Sequence, residues 1–245
     1  LFNDKTLRLL TDGLSRSWSA FERDTYERTV LRQFPQLELK DRVRCMVSTL
    51  HDFLPNDFVE ALPILHGALP QPLDPTLSDD DFGHFIWGVP AEYVAAYGCT
   101  AEHLDASLAF HREATMRFTA ENSIRPFLRD FPDETMAFVR GCATHENYHV
   151  RRLASEGIRP YLPWAERVLM PPKEIVAVLD ALHADPTRYV TLSVCNTLYA
   201  LSKDDPDLVL APLVRLRTSS SPHADALALL HGHASVSFTH FTVPT

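Results

Sequence analysis

Ile124-Arg125-Pro126-Phe127-Leu128 returns 34 residues later as Ile158-Arg159-Pro160-Tyr161-Leu162. Forty residues beyond Asn147-Tyr148-His149-Val150, the run Thr187-Arg188-Tyr189-Val190 holds a matching place. Both strings lie where apolar residues recur at three- and four-residue intervals, the period of an amphipathic helix. Repeats of this length made of helix pairs mark an α-helical solenoid of the HEAT kind, in which each unit buries its apolar face by stacking on the next. The expected fold class is therefore all-α: a HEAT-like α-helical solenoid with a concave basic groove.

Helical periodicity extends outward from these strings. It covers Asp4 to Phe34, Leu39 to Leu54 and Asp57 to Leu69, with a stop and an Asn or Asp cap at Leu54-Pro55-Asn56-Asp57. A Pro-rich, acidic stretch from Pro70 to Gly83 reads as a surface loop. A further helix starts near Pro90, shows Tyr93, Val94 and Tyr97 on one side and ends at Gly98; from Ala101 to the Leu213 region the pattern is helical throughout. Ser219 to Pro222 is turn material, Asp225 to Leu230 suits a short helix, and Ser235 to Phe241 alternates like a strand. A lone strand has no partner in a helical protein. It is either a frayed tail or the opening of a β domain, so the expected division is a HEAT-like domain over residues 1–232 and a tail over 233–245.

Composition narrows the function. With 245 residues, 45% hydrophobic and 22% charged, the chain can bury a sizeable core and is not disordered. No run of 18 apolar residues occurs, and Asp4, Lys5 and Arg8 interrupt the first ten positions, so neither a membrane span nor a secretory leader is expected. A cytoplasmic protein follows, and a monomer, since no exposed heptad suggests self-association. Cys45, Cys99, Cys142 and Cys195 form no Cys-x-x-Cys pair; buried thiols are expected, with no metal and no cofactor. Only 8 glycines occur, and glycine-built phosphate loops are missing from the sequence. The net charge of −9 argues against bulk affinity for nucleic acid, yet 19 of the 23 basic residues are arginine and 12 of those fall between Arg112 and Arg217. Arginine suits bidentate phosphate contacts. Ordinary helix-surface pairing with Asp and Glu is the open alternative.

A helical projection at ~100° per residue puts Val150, Leu153, Ala154, Gly157 and Tyr161 on one buried arc. The opposite arc carries Tyr148, Arg152, Ser155, Glu156 and Arg159. Shifted back by 34 it yields Phe118, Glu121, Asn122 and Arg125; shifted forward by 40 it yields Arg188, Leu192, Cys195, Asn196 and Tyr199. Stacked helices would then line one surface on which Glu121 stands among Arg125, Arg152, Arg159 and Arg188. The plain alternative for Arg152 and Glu156 is an i,i+4 surface pair worth about 0.3–0.5 kcal/mol. Pro126 and Pro160 read as late in their helices, bending or ending them. Trp164, after the second proline, is either a stacking surface or core, and on sequence alone core carries more weight.

At these residues the sequence resembles the AlkC family of DNA alkylation repair glycosylases, which shares a HEAT-like superfamily with AlkD. The resemblance rests on Phe82-Gly83-His84-Phe85-Ile86, Tyr93 to Gly98, Arg117 to Glu121 running into Ile124-Arg125-Pro126-Phe127, and His149 to Gly157 continuing through Arg159-Pro160 to Leu162-Pro163-Trp164-Ala165. Ser202-Lys203-Asp204 matches as well. The resemblance covers roughly Leu39 to Leu230. It implies a metal-free DNA glycosylase of base excision repair acting on double-stranded DNA, which removes cationic alkylated bases such as 3-methylcytosine, 1-methyladenine and 3-methyladenine without flipping them. It also implies that Glu121 is the catalytic carboxylate, that Trp164 packs near the lesion's deoxyribose, and that Arg152, Glu156 and Arg159 line the DNA cleft. Arg125, Arg188 and Asn196 complete the expected DNA-binding set. The strand at Val236 to Phe241 resembles the start of the immunoglobulin-like domain found in longer members.

One departure stands out. The position aligned with a second family carboxylate is Ala200 here, with Asp204 about one turn further on. The competing class is therefore a non-catalytic HEAT-repeat scaffold that binds DNA or a protein through the same groove.

Overall fold

The structure, a computed structural model, describes residues 1–77, 82–210 and 212. Eleven α-helices are assigned there: α1 (Asp4–Ser17), α2 (Arg23–Gln33), α3 (Leu39–Phe53), α4 (Phe58–Ala68), α5 (Gly88–Tyr97), α6 (Leu104–Ala114), α7 (Arg125–Asp130), α8 (Pro132–Cys142), α9 (Tyr148–Glu156), α10 (Pro172–Leu182) and α11 (Arg188–Ser202). Two 3-10 turns, Phe34–Gln36 and Phe85–Trp87, join them. The described residues contain no strand, as the all-α reading requires. The turn, helix and strand expected over 219–241, and the tail over 233–245, lie outside the described residues.

The chain divides into two compact units. The first, built from 1–73 and 82–130, contains α1 to α7. Asn3 caps α1 reciprocally with Thr6: Thr6 N donates to Asn3 Oδ1 and Asn3 N to Thr6 Oγ1. The single helix expected over Asp4 to Phe34 is in fact two. Trp18 ends α1 in an extended conformation, and the chain doubles back so that α1 and α2 pack on each other. Phe21 and Tyr26 close that corner with rings 5.5 Å apart, and the buried Tyr26 hydroxyl donates to Met46 O at 3.0 Å. α1 lies against α4, and α3 against α5, around Leu10, Leu14, Met46, Leu50, Leu65 and Val94.

The second unit, from 131 onward with 74–77, holds two helix pairs, α8 with α9 and α10 with α11. Their starts lie 40 residues apart, Pro132 to Pro172 and Tyr148 to Arg188, so the forty-residue period is structural. Proline opens α8 and α10, where its missing N–H costs nothing. Asn147 caps α9 through His149 N at 2.9 Å. Arg151 fastens one repeat to the next: its Nε lies 2.5 Å from Asp185 Oδ2, and its Nη1 donates to His145 O and Glu146 O.

The 34-residue recurrence behaves differently. Arg125 and Pro126 open α7, whereas Arg159 and Pro160 lie beyond the end of α9. Neither proline ends the helix in which it was placed: Pro126 sits in the first turn of α7 and Pro160 outside any helix, the two settings that cost a proline least. The expected helicity from Ala101 onward is likewise broken, at 115–124 and at 157–171.

The segment 115–124 is held from several sides. Leu73 N donates to Met116 O at 2.9 Å, and Arg117 Nε to Pro70 O at 3.0 Å. Gly83 has φ +66, and a Cβ there would lie 2.0 Å from Arg117 O, so this contact admits only glycine. Phe118 meets the Phe85 ring at 4.9 Å. Beneath the segment, His111 of α6 is fully buried. Its Nδ1 lies 2.7 Å from Ser107 O, and its ring meets Phe127 of α7 edge-on at 5.0 Å.

Burial lowers the His111 pKa from 6.5 to about 4, opposed more weakly by hydrogen bonds to the backbone of Ser107 and Ser123. A depressed folded pKa means that the unfolded chain binds the proton first, so stability is lost as pH falls from 6.5 toward 4. The expected loss from this group is about 3 kcal/mol. Urea unfolding across that interval should show a shallower pH slope for His111→Gln than for the parent; equal slopes would contradict this origin.

Candidate active site

Glu121 stands on the turn that precedes α7, not on a helix, and is 5% exposed. The cause is local. Pro126 confines the start of α7 to its own first turn, and the preceding residues close short bonds instead, Ile124 N to Ala120 O and Arg125 N to Asn122 O. Thr119 Oγ1 donates to Glu121 Oε2 at 2.9 Å and also accepts from Glu121 N at 3.4 Å. Arg125 is 1% exposed, and its Nε donates to Glu121 O at 3.2 Å. The structure thus brings Arg125 to the Glu121 backbone, within the interior. Thr119, two residues before the carboxylate, is the partner that helical projection missed, because the projection assumed a helix here.

In the second unit, Glu156 is 2% exposed and stands between two arginines: Arg159 Nη1 lies 2.8 Å from Oε1, and Arg152 Nη2 3.8 Å from Oε2. Ser193 Oγ of α11 donates to the same Oε2 at 2.7 Å and lies 3.0 Å from Ser155 Oγ. Thr197 Oγ1 reaches Ser155 O at 3.2 Å. This polar seam corrects the expected arc, since Tyr148, Ser155 and Glu156 are buried rather than exposed. α9 is apolar on one side and covered by α11 on the other, and a two-sided helix cannot be read as a simple amphipathic one. The surface-pair alternative for Arg152 and Glu156 is overturned for the same reason. Arg152 also lies 4.4 Å over the Tyr189 ring, and the cation–π contact fixes the plane of its guanidinium. Arg188 and Asn196, on α11, are intermediate in exposure.

Trp164, in the non-helical stretch after α9, is 48% exposed. The interior reading of this residue is overturned: the Leu162-Pro163-Trp164 run follows the end of α9, with Leu162 inward and Trp164 outward. Ala200, by contrast, is 2% exposed on α11, so an acid at that position would face the core. Asp204, past the end of α11, has a half-exposed side chain. It accepts from Tyr161 Oη at 2.7 Å, with Arg167 Nη2 at 3.6 Å and Arg167 itself 4.5 Å over the Tyr161 ring. That hydrogen bond to Asp204 is the main cause raising the Tyr161 phenol above its ordinary range.

The cysteines remain thiols. Cys45, Cys142 and Cys195 are buried as expected, while Cys99 is intermediate; burial pushes the Cys195 thiol up to about 12, which disqualifies it as a nucleophile. Among the described residues no group of three or more His, Cys, Asp or Glu is placed to hold a metal ion, and no helix is long and apolar enough to cross a membrane.

Removing the Glu156 carboxylate should leave two arginines and Ser193 facing an empty buried space. Glu156→Ala is expected to cost about 3 kcal/mol in urea unfolding. A loss below about 0.5 kcal/mol would place it with exposed pairs instead.

No family model matches the chain. A Bacillus subtilis protein, the uncharacterized YhaZ, is 32% identical over 229 residues, which are 92% of this chain and 60% of that protein. Among solved structures, the Pseudomonas fluorescens alkylpurine DNA glycosylase AlkC, bound to DNA containing an abasic site analog, matches with a TM-score of 0.79 and 29% identity. That likeness covers 97% of this chain and 63% of the AlkC chain. The chain thus spans about three fifths of the length of each. The likeness to the AlkC family holds in both sequence and fold, which is a helical-repeat fold.

Proposed function

We propose that this AlkC-like helical-repeat chain is a DNA glycosylase that hydrolyses the N-glycosidic bond of cationic alkylated bases in double-stranded DNA without flipping them. The observation that carries the reading is Glu121. Its carboxylate is withdrawn from water, oriented by Thr119 and mounted on a clasped turn, in a chain that matches a DNA-bound alkylpurine glycosylase over nearly its whole length. A carboxylate held in this way costs little reorganisation when positive charge develops before it.

The chemistry follows from the charge of the substrate. A base alkylated on a ring nitrogen, such as 3-methyladenine, 3-methylcytosine or 1-methyladenine, already carries a positive charge. When the C1′–N bond breaks, the electron pair leaves with the base and neutralises it, so no general acid is needed. The deoxyribose is left as an oxocarbenium-like cation. Glu121 stabilises that cation and receives the proton of the water whose oxygen bonds to C1′. An uncharged base gains less from this arrangement, so selectivity arises without a tight pocket, and the flipping cost of a few kcal/mol is avoided.

Within this reading the other residues take distinct parts. Trp164 presents a half-exposed aromatic face to the deoxyribose. Arg152, Arg159, Arg188 and Asn196 meet the DNA, and Glu156 acts by pinning the first two of these. Arg125 supports the Glu121 turn from inside. With alanine at position 200, Asp204, whose side chain is half-exposed, takes the part of a second carboxylate.

Glu121→Gln is expected to slow single-turnover excision at least tenfold, within the range of about 10²–10⁴ for loss of such a group, while DNA affinity changes less than twofold. Unchanged excision would remove Glu121 from this role. Arg152→Glu or Arg159→Glu should weaken binding and reduce the slope of log affinity against log salt by about one for each lost phosphate contact. A slope equal to the parent's would turn those side chains away from DNA.

A further inference from the structure

Asn122, next to Glu121 in the chain, reaches back to α5 with its side chain. Its Nδ2 donates to Glu92 Oε1 at 2.6 Å, a contact spanning 30 residues of sequence. Several bonds of the turn are local: Ile124 N to Ala120 O, Ser123 Oγ to Ala120 O and Arg125 N to Asn122 O all close within a few residues, while His111 of α6 also bonds to the Ser123 backbone. Local bonds fix the shape of a turn but not its placement. Placement comes upstream from Phe118 against Phe85, downstream from His111 against Phe127, and at the turn itself from His111 on the Ser123 backbone beneath and from Asn122 on Glu92 toward α5.

We propose that Glu92 is a positioning residue for the reacting carboxylate, holding the Glu121 turn against α5 through the Asn122 amide. The inference rests on the reading of Glu121 as the group that meets the sugar. In this role Glu92 acts through the Asn122 amide and not on the sugar itself. It acts by removing a rotation of the turn, and misplacement of a catalytic group by about 1 Å can cost ~10²-fold in rate. The chemistry of the pair fits this purpose. A carboxylate acceptor makes a shorter, stiffer bond to an amide than a neutral oxygen would. Desolvation raises the Glu92 carboxyl above its ordinary range, opposed less strongly by the Asn122 hydrogen bond and by the charge of Lys40 on α3.

The experiment compares Glu92→Ala, Glu92→Gln, Asn122→Ala and the double variant Glu92→Ala/Asn122→Ala with the parent, on a duplex oligonucleotide carrying one N-methylated base. Single-turnover excision at saturating protein is read separately from DNA affinity. The expected result is at least a tenfold slower excision for Glu92→Ala with affinity within twofold. Glu92→Gln, whose Oε1 still accepts from the amide, should recover most of the rate. Asn122→Ala should match Glu92→Ala, and the double variant should be no slower than either single variant, since both remove one bond. A purely structural role would lower the melting temperature without slowing the folded molecules and would not separate Gln from Ala. Should Glu92→Ala fail to fold, Glu92→Gln and Asn122→Ala carry the comparison. Parental rates for Glu92→Ala and Asn122→Ala, additive effects, or Glu92→Gln as slow as Glu92→Ala would each overturn the inference while leaving the glycosylase reading standing. A parent that releases no base would overturn both.

Discussion

A proline cannot stand inside an α-helix without losing a hydrogen bond and clashing with the preceding turn, a cost of about 3 kcal/mol or more. Although α4 does accommodate Pro63 in its interior, Pro126 therefore favours a start of α7 at Arg125 over a helix running in from residues 115–124, which take another conformation. The turn they form is what lifts Glu121 out of the helical framework. The surrounding contacts then serve that turn: Gly83 and Pro70 against Arg117, Phe85 against Phe118, His111 against Phe127, and Arg125 on the carbonyl of Glu121 itself. A carboxylate on such a support has little freedom left to lose when charge develops before it.

The second unit meets a different problem by a different route. α9 must pack on α8 and also be covered by α11, so it cannot afford an entirely polar outer face. It buries Glu156 instead and satisfies that carboxylate with Arg152, Arg159 and Ser193. A buried acid flanked by two bases stabilises little by itself. What it provides is fixed direction, and the two guanidiniums keep a small exposed margin. The neighbouring arginines divide their work along the same lines, Arg151 clasping Asp185 across the repeat and Arg152 stacking over Tyr189.

Much of this was legible in the sequence, for reasons that also explain the failures. The forty-residue period was legible because polar residues and apolar spacings recur at matching places, as Asn147 and Thr187 do at the N-cap positions of α9 and α11, although only Asn147 caps with its side chain. The thirty-four-residue period was not structural, because the five-residue string puts Pro126 into a first turn and Pro160 into a loop. Glu121 was found through a resemblance and through a helical shift whose premise fails, since no helix passes through it. Thr119 and Glu92 gave no periodic signal: one acts at two residues' distance and the other across 30 residues of chain. Trp164 read as core because large aromatics usually are, while its own run turns it outward. Ala200 is buried on α11, which periodicity on that helix had not distinguished from an exposed position.

The claim at the centre of this account is that the chain breaks glycosidic bonds to cationic bases. The most direct test incubates the purified chain with DNA treated with a methylating agent and resolves the liberated bases by chromatography. Release of 3-methyladenine or 3-methylcytosine as free bases, with the neutral alkylated bases left in the polymer, is the predicted result. DNA binding without any released base would contradict it and identify the protein as a non-catalytic reader of DNA.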